Sequence, residues 1–189
     1  AANVTTGDKN IAIGDGALFT ETTGSNNVAV GQVALYTNNA SNNIGIGRSA
    51  LQLNTTGSRN TAVGTYALDA NTTASYNTAV GYYALSGNTT GASNTAVGDY
   101  SLAVSTTGSN NVALGNSALV ANTTGGNNVS IGHISLYSAT TADNNTAVGK
   151  SALQSATTGG TNTAVGSSAL LANTTGTANT AVGYGSLDA

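Results

Sequence analysis

The side chains able to do acid–base chemistry are few and scattered. His133 is the single histidine, and the carboxylates are Asp8, Asp15, Glu21, Asp69, Asp99, Asp143 and Asp188. Hydrolysis or group transfer needs a reactive group within hydrogen-bond reach of a second one. No phosphate-cradling glycine loop, dinucleotide fingerprint or Gly-Gly-x-Gly-x-Asp calcium repeat is present. Without Cys there is neither a disulfide framework nor a cysteine-zinc site. The expectation is a non-enzyme that uses no cofactor and no metal.

Binding chemistry is better represented. Tyr66, Tyr83 and Tyr100 recur at intervals of 17, with Tyr82 beside them. Tyrosines in register either offer a platform for sugar rings or stack on one another. Asn-Thr-Thr recurs at Asn54, Asn71, Asn88, Asn122 and Asn173, and each is an acceptor sequence for N-glycosylation. Thr-Thr pairs recur in eight consecutive units from Thr55-Thr56 to Thr174-Thr175.

Composition removes several classes of partner. The chain has 189 residues and a net charge of −3 from 4 Lys/Arg and 7 Asp/Glu. Its charged fraction is 6%, against about 25% in ordinary soluble domains. Four scattered cations cannot neutralise a phosphate backbone, so nucleic acid is not an expected partner. No run of about 18 apolar residues exists to insert into a membrane. A chain rich in β-branched residues and poor in charge is the reverse of a disordered one. With no Met and an Ala-Ala start, it reads as a processed product or a piece of a longer array.

The element that must position every one of these residues is a repeat. Asn-x-Ala-Val-Gly-type pentads begin at Asn10, Asn27, Asn43, Asn60, Asn77, Asn94, Asn111, Asn128, Asn145, Asn162 and Asn179. The spacing is 17, with one interval of 16 after Asn27. Numbering each unit from its Asn, position 5 is always Gly and position 9 always Leu. Position 4 is Val, Ile or Leu, and positions 3 and 8 are small. Glycine together with Asn-Thr-Thr in every unit disfavours helix. Short alternating segments broken by turn residues favour strands. The fold expected is all-β: a single domain, residues 1–189, forming a parallel β-solenoid or β-roll of eleven rungs of about 17 residues. Eleven strand spacings make a rod of roughly 50 Å.

Each column then acquires an expected role. Positions 4 and 9 are read as inward apolar ladders, with position 2 beside position 4 and the small position 3 facing out. The Leu ladder is Leu18, Leu35, Leu51, Leu68, Leu85, Leu102, Leu119, Leu136, Leu153, Leu170 and Leu187. The position 1 Asn column is expected to stack as an amide ladder. Gly at position 5 is expected to hold a positive φ at a corner, with Asn-Thr-Thr-Gly as the second corner. No cap is visible at either end, so the strand edges there are expected to be open to another copy.

Runs such as Asn60 to Gly64, followed by Ala67-Leu68 and Asn71-Thr72-Thr73, carry a resemblance that spans the whole chain. The unit is similar to the head repeats of trimeric autotransporter adhesins, with their Ser-Val-Ala-Ile-Gly-x-x-Ala core. It also resembles repeats of phage and bacterial tail-fibre-like proteins. The resemblance implies an exported, structural or adhesive fibre segment on a cell or virion surface or outside the cell. It implies that the chain partners itself, as a trimer or an end-to-end filament, with cell-surface glycans as a further partner. The Thr-Thr ladder is in turn similar to the ice-binding faces of antifreeze proteins, which makes ice binding the alternative function. An inert spacer is the third.

Overall fold

The computed structural model describes residues 5–188; the Ala1-Ala2 start lies outside them. Eleven three-residue strands follow one another: β1 Ile11–Ile13, β2 Val28–Val30, β3 Ile44–Ile46, β4 Thr61–Val63, β5 Thr78–Val80, β6 Thr95–Val97, β7 Val112–Leu114, β8 Val129–Ile131, β9 Thr146–Val148, β10 Thr163–Val165 and β11 Thr180–Val182. They form one parallel sheet in sequence order. Equivalent positions pair, as in Thr61 with Thr78, Ala62 with Ala79 and Val63 with Val80. The chain is a parallel β-solenoid with one rung per repeat, as its periodicity predicts. The interval of 16 after Asn27 does not disturb the register of β2 against β3.

Only one segment per rung is a strand, where the periodicity allowed two or three. The rest of the rung turns on left-handed residues. Leu at position 9 holds φ of 47–54°, and positions 7 and 17 are also left-handed, as at Tyr66 (φ 59°) and Tyr76 (φ 65°). Such a conformation costs an L-residue about 1–2 kcal/mol. Burying the Leu side chain returns roughly 2 kcal/mol. The stack also uses the amides these turns expose: Leu68 N–H donates to Ala84 O (3.0 Å) and Tyr66 N–H to Arg48 O (3.0 Å). The strand faces add Thr61 N–H to Asn77 O (2.8 Å), and the corner adds Thr72 N–H to Thr89 O (3.1 Å).

The strand face is opposite to the one expected. Position 3 points inward and positions 2 and 4 point outward. Ala62, Ala79, Ala96 and Ala113 are fully buried, whereas Val97 and Val165 are 38% and 37% exposed. Asn at position 1 is buried from Asn27 to Asn162, and a strand alternates faces with period two. An inward position 1 therefore forces an inward position 3. Apolar character misled because the interior is thin. A Cβ placed on Gly45, the one glycine at position 3, would meet Leu35 Cγ at 3.1 Å. Only Ala, Gly or Ser fits between the sheet and the Leu column.

The core is thus Ala at positions 3 and 8 packed on Leu at position 9. Leu18 through Leu153 of that ladder are fully buried and Leu170 is nearly so; Leu187, on the last rung, is 60% exposed. Gly at position 5 keeps φ of 122–137° at every corner. A Cβ on Gly81 would lie 2.6 Å from Gly98 O, so the corner admits no side chain.

Candidate interaction surfaces

Two amide ladders run through the interior. In the first, each position 1 side chain accepts from the next rung's backbone: Asn77 N–H donates to Asn60 Oδ1 (2.9 Å). Its own Nδ2 donates across the rung, as Asn60 to Ala74 O (2.9 Å). The second ladder lies at position 12, where Asn71 Nδ2 donates to Asn54 Oδ1 (2.7 Å) and to Ala74 O (3.1 Å). Sequence reasoning placed these asparagines at an exposed corner and missed this ladder. The signal available was the run Asn38, Asn54, Asn71 and Asn88, which follows the spacing of the position 1 column.

That ladder corrects the glycosylation assignment. Asn54, Asn71, Asn88 and Asn122 are fully buried, and their Nδ2 atoms donate to neighbours within the stack. A glycan on Nδ2 is sterically incompatible with the folded rod. Asn173 is half-buried and its Nδ2 donates to Gly176 O (3.3 Å). The ladder stops where position 12 changes to Ser105 and to Ala139. Asn88 Oδ1 and Asn122 Oδ1, the acceptors facing those breaks, are the buried side-chain atoms without a partner among the described residues. At the opposite end Glu21 substitutes for Asn. Its buried carboxylate accepts from Gly24 N–H and from the amides of Asn27 and Asn38.

The Thr-Thr corner divides its two hydroxyls. The first Thr donates to the carbonyl of its counterpart one rung on, as Thr55 to Thr72 O (2.9 Å) and Thr89 to Thr106 O (3.0 Å). The second Thr is exposed on all eight rungs from Thr56 to Thr175.

Tyr66, Tyr83 and Tyr100 form a stack, with ring centroids 4.8 Å apart for the first pair and 5.6 Å for the second. Tyr82 meets Tyr83 and Tyr100 edge-on, at 4.5 and 5.5 Å. The Arg48 guanidinium covers the outer face of Tyr66, at one end of the column, 5.4 Å from its centroid. Both faces of Tyr66 and Tyr83 are therefore occupied within the rod. Desolvation by the neighbouring rings, and the adjacent Tyr82, push the Tyr83 and Tyr100 phenols above their ordinary range. Nearby Asp69 is raised to about 6 by burial, which backbone hydrogen bonds only partly oppose.

The candidate acid–base groups are not brought together. His133 is exposed at a corner, and Asp15 and Asp99 flank β1 and β6, five strands apart. No group of three metal-ligating side chains assembles, and no pocket opens, among the described residues. No protein-family model matches the chain, and comparison with curated proteins and with solved structures gives no match.

One continuous apolar surface is the outer side of the sheet. The third residue of every strand is Val, Ile or Leu, and the first is Thr, Val or Ile. Ile13, Ile46, Val97, Val165 and Val182 are among its exposed members. No charged side chain lies within any strand.

Proposed function

We propose that this chain is a non-catalytic, self-associating segment of an extracellular fibre, carried on a cell or virion surface or released from it. The observation that carries the reading is the unbroken stack of eleven parallel strands in which every repeat pairs with the next in identical register. A fold built that way gives rigidity and a length proportional to repeat number, which are the properties of a stalk or filament. The likeness of the repeat to adhesin heads and tail-fibre proteins points the same way. A surface low in charge and continuous in apolar side chains supports side-by-side self-association, as in a trimer; an end-to-end filament would use the strand edges of the first and last rungs instead.

The test is electron microscopy of the native assembly together with its sedimented mass. Filaments or bundles of rods with the mass of several chains are expected. A monodisperse single chain that stays monomeric at high concentration overturns the reading. Adhesion to glycans is a separate property of the same fibre. Tyr83→Ala is expected to leave the rod folded, and unchanged glycan-array binding by that variant removes the tyrosine stack from any binding role.

Ice binding is the second reading, favoured by the column of exposed hydroxyls from Thr56 to Thr175. It requires thermal hysteresis in the wild type and its loss in Thr124→Tyr with Thr141→Tyr.

A further inference from the structure

We infer that the outer face of the sheet is the surface on which copies of this chain associate, side by side, with their rods parallel and their rungs in register. The inference rests on the self-association proposed above and names its face and direction. Three observations carry it.

The first is area. Eleven strands at about 4.8 Å, each about 10 Å long, give a flat face near 500 Å² per copy. Two such faces bury roughly 1,000 Å², the lower limit for a specific interface. The second is chemistry. Val, Ile or Leu recurs on every strand at position 4, half-exposed or exposed along the whole rod, and no charge interrupts it. Exposed apolar columns of that length are a feature of association surfaces.

The third is charge at the borders, and it decides direction. Asp8 and Lys9 precede β1 and Asp15 follows it; Asp143 precedes β9 and Lys150 follows it; Arg48 follows β3 and Asp99 follows β6. All of these are exposed. If two copies face each other with rods parallel, the leading border of each rung meets the trailing border of the same rung. Asp143 then faces Lys150, twice, while Asp15 meets the adjacent Asp8 and Lys9, whose charges offset each other. If one rod is reversed, β3 lies over β9 with trailing borders together. Arg48 then faces Lys150, twice, Asp99 after β6 faces its own copy, and the Asp143–Lys150 pairs are lost. Like charges across an interface are a strong discriminator against the wrong arrangement. In the parallel arrangement position 2 of one copy also packs on the all-apolar position 4 of the other.

Cysteine cross-linking reads the geometry directly, because the native chain has no Cys. Ile44→Cys and Ile46→Cys on β3 and Val148→Cys on β9 are made separately and treated with a short bis-maleimide in pairwise mixtures, with sedimentation run on each. Rods parallel and in register place position 2 of β3 over position 4 of β3, so the mixture of Ile44→Cys with Ile46→Cys is expected to give a hybrid dimer, and the mixture of Ile46→Cys with Val148→Cys none. A hybrid of Ile46→Cys with Val148→Cys, without one of Ile44→Cys with Ile46→Cys, means reversed rods and overturns the inference. If the variants sediment as assemblies yet form no cross-link, the face is not the interface; the inference fails while self-association stands. If the wild type is monomeric, both fail together.

Discussion

At the scale of single residues, the stack is limited by side chains that interrupt a column. Asn88 Oδ1 is buried without a donor because Ser105 is too short to reach it. Leaving such an acceptor unsatisfied costs about 1–3 kcal/mol. Ser105→Asn restores both the donor and the acceptor of the ladder, and is expected to raise unfolding stability by about 1 kcal/mol. Urea denaturation measures it, and a lower midpoint would show that position 12 of that rung lacks room for the amide. Asp69 is the one carboxylate held to about 6 by burial. Its folded value lies above the unfolded one, so the folded state binds the proton more tightly. Stability from this group is therefore present at low pH and is lost as pH rises from about 4 through about 6. Asp69→Asn should raise the melting temperature at pH 7 and leave it unchanged at pH 3.5. A rise of equal size at both values would assign the effect to packing instead.

At the scale of the rung, shape rather than hydrophobicity decides which residue goes where. The Leu at position 9 fills the interior so completely that the facing strand can present only a methyl or less. Ala79→Val is expected to destabilise the rod by about 1–3 kcal/mol through overpacking. Val80→Thr, one residue on and of similar size, is expected to change the stability of the isolated chain by less than about 0.5 kcal/mol, since that side chain faces outward. Thermal melts of the two variants, compared in a dilute sample, check the orientation. Equal losses would return position 4 to the interior. Rung 8 shows how the same space takes a polar pair. Ser130 and Ser135 replace the two alanines that face each other, and their hydroxyls lie 2.6 Å apart. Ser135 Oγ also donates to Gly132 O (3.0 Å), so the substitution leaves no unpaired group. Their joint appearance at positions 3 and 8 of one repeat was visible in the sequence, and it marks the two columns as neighbours.

At the scale of the whole molecule, each rung touches only the rungs before and after it. Stability is then close to a sum of rung and nearest-neighbour contributions. Deleting residues 77–93, one complete repeat, joins Tyr76 to Asn94 in register. The shortened chain is expected to remain folded, with its rod shorter by one strand spacing of about 4.8 Å. Deleting residues 77–84 instead shifts every following column and is expected to unfold the chain beyond that point. Small-angle scattering and circular dichroism distinguish the two. A folded product from the second deletion would mean that columns tolerate mismatch and that register does not hold the rod together.

The sequence by itself determined the solenoid, its rung number, the Leu ladder, the glycine corners and the stacking of the position 1 asparagines. Those features follow from recurrence, because a column of identical residues at fixed spacing needs a stack to bring its members together. What only the tertiary structure decided was which side of each column faces inward. Val at position 4 looks more like core than Ala at position 3, and the Asn-Thr-Thr corner looks more like surface than interior. The reversal comes from the closure of a 17-residue rung. Left-handed Leu residues bring the two walls so close that methyl groups and amides fill the space. The larger apolar side chains are displaced onto the outer face of the sheet, the face inferred above to meet a second copy.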